Sequence, residues 1–158
     1  MSDLPKMVEI HEEGPREGFQ IEPGPISTAD KVKLIDALSE TGLKHIQICS
    51  FVNPRLVPGW SDAEAVVEAF NPVKDVTYTG LYFNGNGLDR ALHYKSKLTL
   101  SGSISLTASE RFTKKNLNRS HAENLTAMKR QAAAHLDNNI AVHRISIMAA
   151  FGCNYQGD

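Results

Sequence analysis

The feature that most constrains this chain is a strict alternation of two hydrophobic periods along its 158 residues. Short β-branched or alternating stretches are followed by longer ones whose apolar residues recur three and four apart, which is the order of β-α-β units. Val8 and Ile10 open a first strand that stops at Gly14-Pro15 and delivers Arg16 and Glu17 onto a tight turn. Ser27-Thr28-Ala29-Asp30 then starts a helix, since its hydroxyl and carboxylate can satisfy backbone donors that the first turn leaves unpaired. Val32, Ile35 and Leu38 form its stripe, and Gly42 ends it.

Lys44 to Val52 reads as the second strand, with Ile46, Ile48 and Ser50 on one face and Gln47, Cys49 and Phe51 on the other. Ser61-Asp62-Ala63-Glu64 repeats the capping pattern before a short helix through Val66, Val67 and Phe70. Val76 to Tyr82 predicts a third strand, and Leu88 to His93 a brief helix. Leu98 to Leu106 predicts a fourth strand, followed by a polar, basic loop from Ser109 to Arg119. Ser120-His121-Ala122-Glu123 caps the longest helix, whose predicted apolar stripe is Leu125, Met128, Ala132 and Leu136. Ile140 to Ala150 completes the series as a fifth strand.

Five strands alternating with four helices predict an α/β fold with a parallel sheet, either doubly wound or a (β/α)8 TIM barrel. A dinucleotide-binding version is disfavoured, because the first β-α turn is Gly14-Pro15-Arg16-Glu17-Gly18 rather than a glycine-rich loop entering a helix. A complete barrel needs about 250 residues. The expectation is therefore a partial barrel of about five parallel strands, with 1–158 as the N-terminal part of a single domain.

A formal net charge of −1 gives no global attraction for nucleic acid or an anionic membrane surface. No apolar run reaches the ~18 residues of a membrane helix. Cys49 and Cys153 lie far apart without metal-type spacing, so a reduced, cytoplasmic setting is expected.

Arg16 and Glu17 head the candidate site residues. A guanidinium offers a planar fork of donors to a carbonyl or enolate oxygen, and an acid can ligate a hard cation or move a proton. Read alone, the two are equally an ion pair at a turn. Gln47, followed by Ser50 and Asn53, can hold a ligand by hydrogen bonds but cannot act as a base. The six histidines show no metal-type spacing and are expected to be core or surface residues. Lys114, Lys115 and Arg119, just before a helix N-terminus, suit a phosphate or pyrophosphate, although a solvated basic loop has the same composition.

Four blocks in fixed order carry a resemblance. They are Gly14-Pro15-Arg16-Glu17-Gly18-Phe19-Gln20; Thr41-Gly42-Leu43 leading to Ser50-Phe51-Val52-Asn53-Pro54; Ala108-Ser109-Glu110 with Phe112-Thr113-Lys114-Lys115-Asn116; and Phe151-Gly152-Cys153-Asn154-Tyr155. From about Leu4 to Gly157 the chain resembles the hydroxymethylglutaryl-CoA lyase family of metal-dependent (β/α)8 lyases. The resemblance implies cleavage of a 3-hydroxy-3-methylglutaryl-CoA-like thioester to acetyl-CoA and a keto acid, with Mg2+ or Mn2+ as cofactor. It places Arg16 on the enolate oxygen, Glu17 on the metal, and Lys114, Lys115, Asn116 and Ser120 at the CoA moiety. It also implies an acyl-CoA partner and a homodimer. Glu17 stands where the family has aspartate, and Gln47 where it has a catalytic glutamate. The family's remaining ligands come from later strands, so the chain alone is expected to be inactive. A lyase or aldolase for a related 3-hydroxyacyl-CoA, such as citramalyl-CoA, and a non-catalytic CoA- or partner-binding remnant are the alternatives.

Overall fold

The computed structural model describes residues 3–155 and 157. In order, the elements are β1 (His11–Glu12), α1 (Gly14–Ile21), α2 (Thr28–Ser39), β2 (His45–Ser50), a single 3-10 turn (Pro58–Trp60), α3 (Ala63–Ala69), β3 (Thr77–Leu81), α4 (Gly85–Leu92), β4 (Gly102–Thr107), α5 (Glu110–Leu117), α6 (His121–Asp137) and β5 (Val142–Met148). Every strand pair among the named strands is parallel, as the alternation requires. Two compact units divide the chain, residues 1–100 and 101–158.

The first unit is built on a three-stranded sheet in the order β1-β2-β3. Period-two alternation turns Ile46 and Ile48 of β2 away from His45 and Gln47, and both isoleucines are fully buried with Ile35 of α2 and Val66 and Val67 of α3. Trp60, Phe51, Phe70 and Leu88 complete this core. Gly59 is required where the 3-10 turn passes α1, because a Cβ there would collide with the Phe19 carbonyl oxygen. Gly42, at φ +89°, lets the chain leave α2 in the left-handed region that other residues disfavour.

The second unit pairs β4 with β5 and packs α6 against β4. Its helix is rotated from the predicted stripe. Leu125 and Leu136 are 45% and 72% exposed, while Asn124, Gln131 and His135 are buried. The reason lies in β4: Gln131 Nε2 donates to the Ser103 carbonyl at 3.2 Å, and Gly102 leaves the space that the His135 ring fills. Hydrogen-bond complementarity and one missing Cβ thus select a polar row over the neighbouring leucine row.

Two further helices occupy stretches that the sequence presents as turn and loop. α1 begins directly at Gly14, with Pro15 in its first turn, where a proline costs no hydrogen bond. α5 is too polar to show a stripe, yet Ser109 caps it by accepting from the Phe112 N–H, and Asn118 ends it in the left-handed region at φ 51°. The capping patterns at Ser27 and Ser120 form as predicted. The one at Ser61 does not, because Asp62 takes the cap position of α3 and its carboxylate is drawn to Thr28 and Lys31. Among the described residues no helix is long and apolar enough to cross a membrane.

Candidate functional site

Arg16 lies on α1, just beyond the C-terminal end of β1, and its side chain is only 13% exposed. Its Nε donates to Gln47 Oε1 at 2.7 Å, its Nη2 to Glu13 at 2.7 Å, and its Nη1 to Glu17. The structure thus brings together Arg16, Glu17 and Gln47, which come from two different elements, and adds Glu13. Gln47 suits this position because its amide oxygen accepts from the guanidinium without adding a third carboxylate.

The arginine is fixed from behind as well. The buried indole of Trp60 donates from Nε1 to the Arg16 carbonyl at 2.9 Å, and Phe19 meets the Trp60 ring edge-on. Lys31, almost fully buried, places Nζ 4.9 Å from the centre of that ring while donating to the Gly59 carbonyl and to Asp62 Oδ1, both at 2.5 Å. Burial alone would raise the Asp62 carboxyl, but hydrogen bonds from Lys31 and Thr28 outweigh it and hold the group below its ordinary value.

The end of β2 has a second clamp. Arg90 of α4 grips Glu64 of α3 through Nε and Nη2, at 2.5 and 2.9 Å, and its Nη1 donates to the Val52 carbonyl. The bonds from Arg90 keep the Glu64 carboxyl below its ordinary value. Its guanidinium also lies 5.6 Å over the Phe51 ring. Cys49, fully buried beside this clamp, has its thiol pushed far up by burial.

In the second unit, Lys114, Lys115 and Asn116 occupy the exposed last turn of α5, where cations also complement the negative end of the helix. Asn116 Nδ2 donates back to the Phe112 carbonyl. Ser120 is the N-cap of α6, and a carboxylate of the chain already fills that helix end: Glu123 accepts from the Ser120 N–H at 2.7 Å and its hydroxyl at 3.0 Å. These bonds, assisted by Lys114 and Arg119, hold Glu123 below its ordinary value. An incoming phosphate would meet the two lysines first and would compete with Glu123 for the helix end. Cys153, carried on the loop after β5, donates from Sγ to Ser109 Oγ at 3.0 Å.

The spacing of the histidines hides one grouping. His11 and His45 are direct partners in the β1-β2 register, and Glu9 reaches both. Their ligating atoms all lie within 4.8 Å of one another, so this group could hold a metal ion. The residues are adjacent only across strands that lie 34 positions apart, so strand pairing was the one signal that could have found them. Around Glu17 a carboxylate suits a hard cation such as Mg2+, which keeps several waters and takes only one or two carboxylates, and here that carboxylate is already bound to Arg16.

No family model matches the chain. Curated relatives do. The chain is 38% identical to the hydroxymethylglutaryl-CoA lyase YngG of Bacillus subtilis over 98% of its own length and 50% of that protein's. It is 36% identical to the 3-hydroxy-3-isohexenylglutaryl-CoA/hydroxymethylglutaryl-CoA lyase of Pseudomonas aeruginosa, over 99% of its length and 51% of the relative. Among solved structures, the hydroxymethylglutaryl-CoA lyase of Pseudomonas aeruginosa superposes with a TM-score of 0.85 at 35% identity, covering 99% of this chain and 51% of that one. A lyase from Acinetobacter baumannii, in complex with coenzyme A and 3-methylmalate, does so with a TM-score of 0.78 at 26% identity, over 100% of this chain and 51% of that one. The chain spans about half the length of the curated relatives it matches. Over nearly all of its length the chain is similar in sequence and fold to about half of a hydroxymethylglutaryl-CoA lyase, with the parallel α/β elements of a partial TIM barrel.

Proposed function

We propose that this chain supplies the arginine-bearing part of a carbon-carbon lyase that cleaves a 3-hydroxy-3-methylglutaryl-CoA-like thioester to acetyl-CoA and a keto acid. The observation that carries this reading is the held guanidinium of Arg16, anchored at its backbone by Trp60 and at Nε by Gln47. In such a cleavage the tertiary hydroxyl loses its proton, the bond between the α- and β-carbons breaks, and its electron pair passes to the thioester as an enolate. The hydroxyl carbon becomes the ketone, and the enolate carbon takes up a proton to give acetyl-CoA. Arg16 donates to the enolate oxygen, where charge develops, and a fixed donor at that point lowers the barrier. Gln47 acts on Arg16 as a positioning residue. Its amide cannot take the hydroxyl proton, so the base is another group.

Glu17 is the carboxylate this chain would offer to a divalent cation, Mg2+ or Mn2+, which when bound would polarise the substrate oxygens. Lys114 and Lys115 would meet the CoA phosphates, with Asn116 and Ser120 beside them. A cytoplasmic location belongs to the same reading and is checked by cell fractionation.

The test joins the chain in frame to the complementary half of the Bacillus subtilis relative and follows acetyl-CoA release. The chimera is expected to turn over hydroxymethylglutaryl-CoA or a related 3-hydroxyacyl-CoA such as citramalyl-CoA, and the 158-residue chain alone is expected not to. Arg16→Ala should lower kcat by about a hundredfold or more. An unchanged rate in Arg16→Ala would refute the role given to the guanidinium. Gln47 itself favours the related-substrate reading, and Gln47→Glu decides it. A gain on hydroxymethylglutaryl-CoA, with no activity on other thioesters before the change, points to a lyase inactivated at this position and refutes the altered substrate, whereas no gain with high activity on another thioester supports it.

A further inference from the structure

Glu9, His11 and His45 form a constellation that the lyase chemistry leaves unused. His11 and His45 face each other in the register of β1 and β2, with ring centroids 4.2 Å apart and planes 11° from parallel. Both Nε2 atoms converge on one carboxylate, His45 at 2.7 Å from Glu9 Oε1 and His11 at 3.3 Å from Oε2. Four bonds of about 2.0–2.2 Å to a tetrahedral ion set neighbouring ligand atoms ~3.3–3.5 Å apart. The two spacings to Glu9 lie within an ångström of that, and one ligand atom from each of the three residues lies within 4.8 Å of the others. All three side chains are accessible enough for an ion to reach them: Glu9 and His11 are 62% and 57% exposed, and His45 is 29% exposed.

We propose that Glu9, His11 and His45 bind one divalent transition-metal ion of the Zn2+ class, with the fourth position open to water. Two imidazoles and a carboxylate favour Zn2+, Co2+ or Ni2+ over Mg2+, which prefers an all-oxygen shell. Location separates this site from Glu17. His45 begins β2 and Glu9 precedes β1, whereas Arg16 and Glu17 follow β1. His45 and Gln47 share a face of β2 two residues apart, a rise of about 7 Å. Bound there, the ion would staple β1, a strand of only two residues, to β2 from side chains alone.

Co2+ serves as the probe, because tetrahedral coordination by nitrogen and oxygen gives visible absorption bands of high intensity. The 158-residue chain, held in solution as a fusion, is titrated with Co2+ and then with Zn2+. One equivalent of Co2+ should produce the tetrahedral bands, and Zn2+ should bleach them. His11→Ala, His45→Ala and Glu9→Gln should each weaken Co2+ binding by about tenfold or more, since each removes a ligand. Glu17→Ala should leave binding unchanged. Circular dichroism should match across all variants, as none removes a buried side chain. Absence of the tetrahedral bands, equal affinity in the three ligand variants, or loss of binding in Glu17→Ala would overturn the proposal. None of these outcomes depends on lyase activity.

Discussion

The two units put their polar and apolar residues to opposite uses. In residues 1–100 the sheet buries Ile46 and Ile48 against Ile35, Val66 and Val67, and the buried charge of Lys31 is met by Asp62, the Gly59 carbonyl and the Trp60 ring. In residues 101–158 the buried positions of α6 are Asn124, Gln131 and His135, while Ile145 and Ile147 of β5 stand 72% and 63% exposed. A closed apolar core with satisfied charges gives independent stability. A polar seam with its aliphatic residues outside gives much less. The first unit is therefore expected to be the rigid platform of the chain, and the second the part that yields first.

The largest test of that contrast is Trp60→Ala. It empties a fully buried site and removes the hydrogen bond to the Arg16 carbonyl, so the first unit should lose about 3–5 kcal/mol. Denaturation followed by circular dichroism and by amide exchange of β2 measures it. A loss below about 1 kcal/mol would mean that the first unit is no better packed than the second.

Lys31→Met comes next, keeping the aliphatic stem but removing the cation from Asp62. Because Asp62 is partly exposed and keeps its bond from Thr28, the cost should be about 2–3 kcal/mol rather than the full value for a buried pair. The pH signature is specific. The folded carboxyl of Asp62 sits below its ordinary 3.8, so its contribution is present above that value and disappears as pH falls through the lower, folded one. Lys31→Met should flatten this part of the acid limb. The chain has a single tryptophan, so its fluorescence reports the first unit alone.

The smallest effect concerns His135. Burial lowers its folded pKa below 6.5, so the unfolded unit takes up the proton first and stability falls as pH drops below about 6.5. One such group limits the slope to about 1.4 kcal/mol per pH unit. Between pH 7.5 and 5.5, β4 and β5 amides should lose protection after correction for intrinsic exchange, while the Trp60 signal stays level. A parallel change in both units would break the comparison.

What the sequence made legible follows from how local each signal is. The four later strands, the caps at Ser27 and Ser120 and the parallel order are found in the structure, whereas the first strand is confined to His11–Glu12 and leaves Val8 and Ile10, from which it was predicted, outside it and exposed. α5 escaped because its helical character comes from capping by Ser109 rather than from an apolar stripe. The buried row of α6 escaped because Gly102 and the Ser103 carbonyl, on another element, decide which face turns inward. At the site, Arg16, Glu17 and Gln47 were visible as residue types, but the bond from Arg16 Nε to Gln47 exists only through the placement of α1 over β2. Glu9, His11 and His45 needed the cross-strand register itself.

The two cysteines sort themselves by the same division. Burial pushes the Cys49 thiol up inside the first unit, so its reactive thiolate is suppressed and an alkylating reagent has no path to it. Cys153 is half-buried on the loop after β5, with its sulfur against Ser109 at the head of α5. A single maleimide label would therefore fall on the second unit without any mutation, and a dye at that position would follow the opening of the α5 cap while the indole of Trp60 follows the other unit.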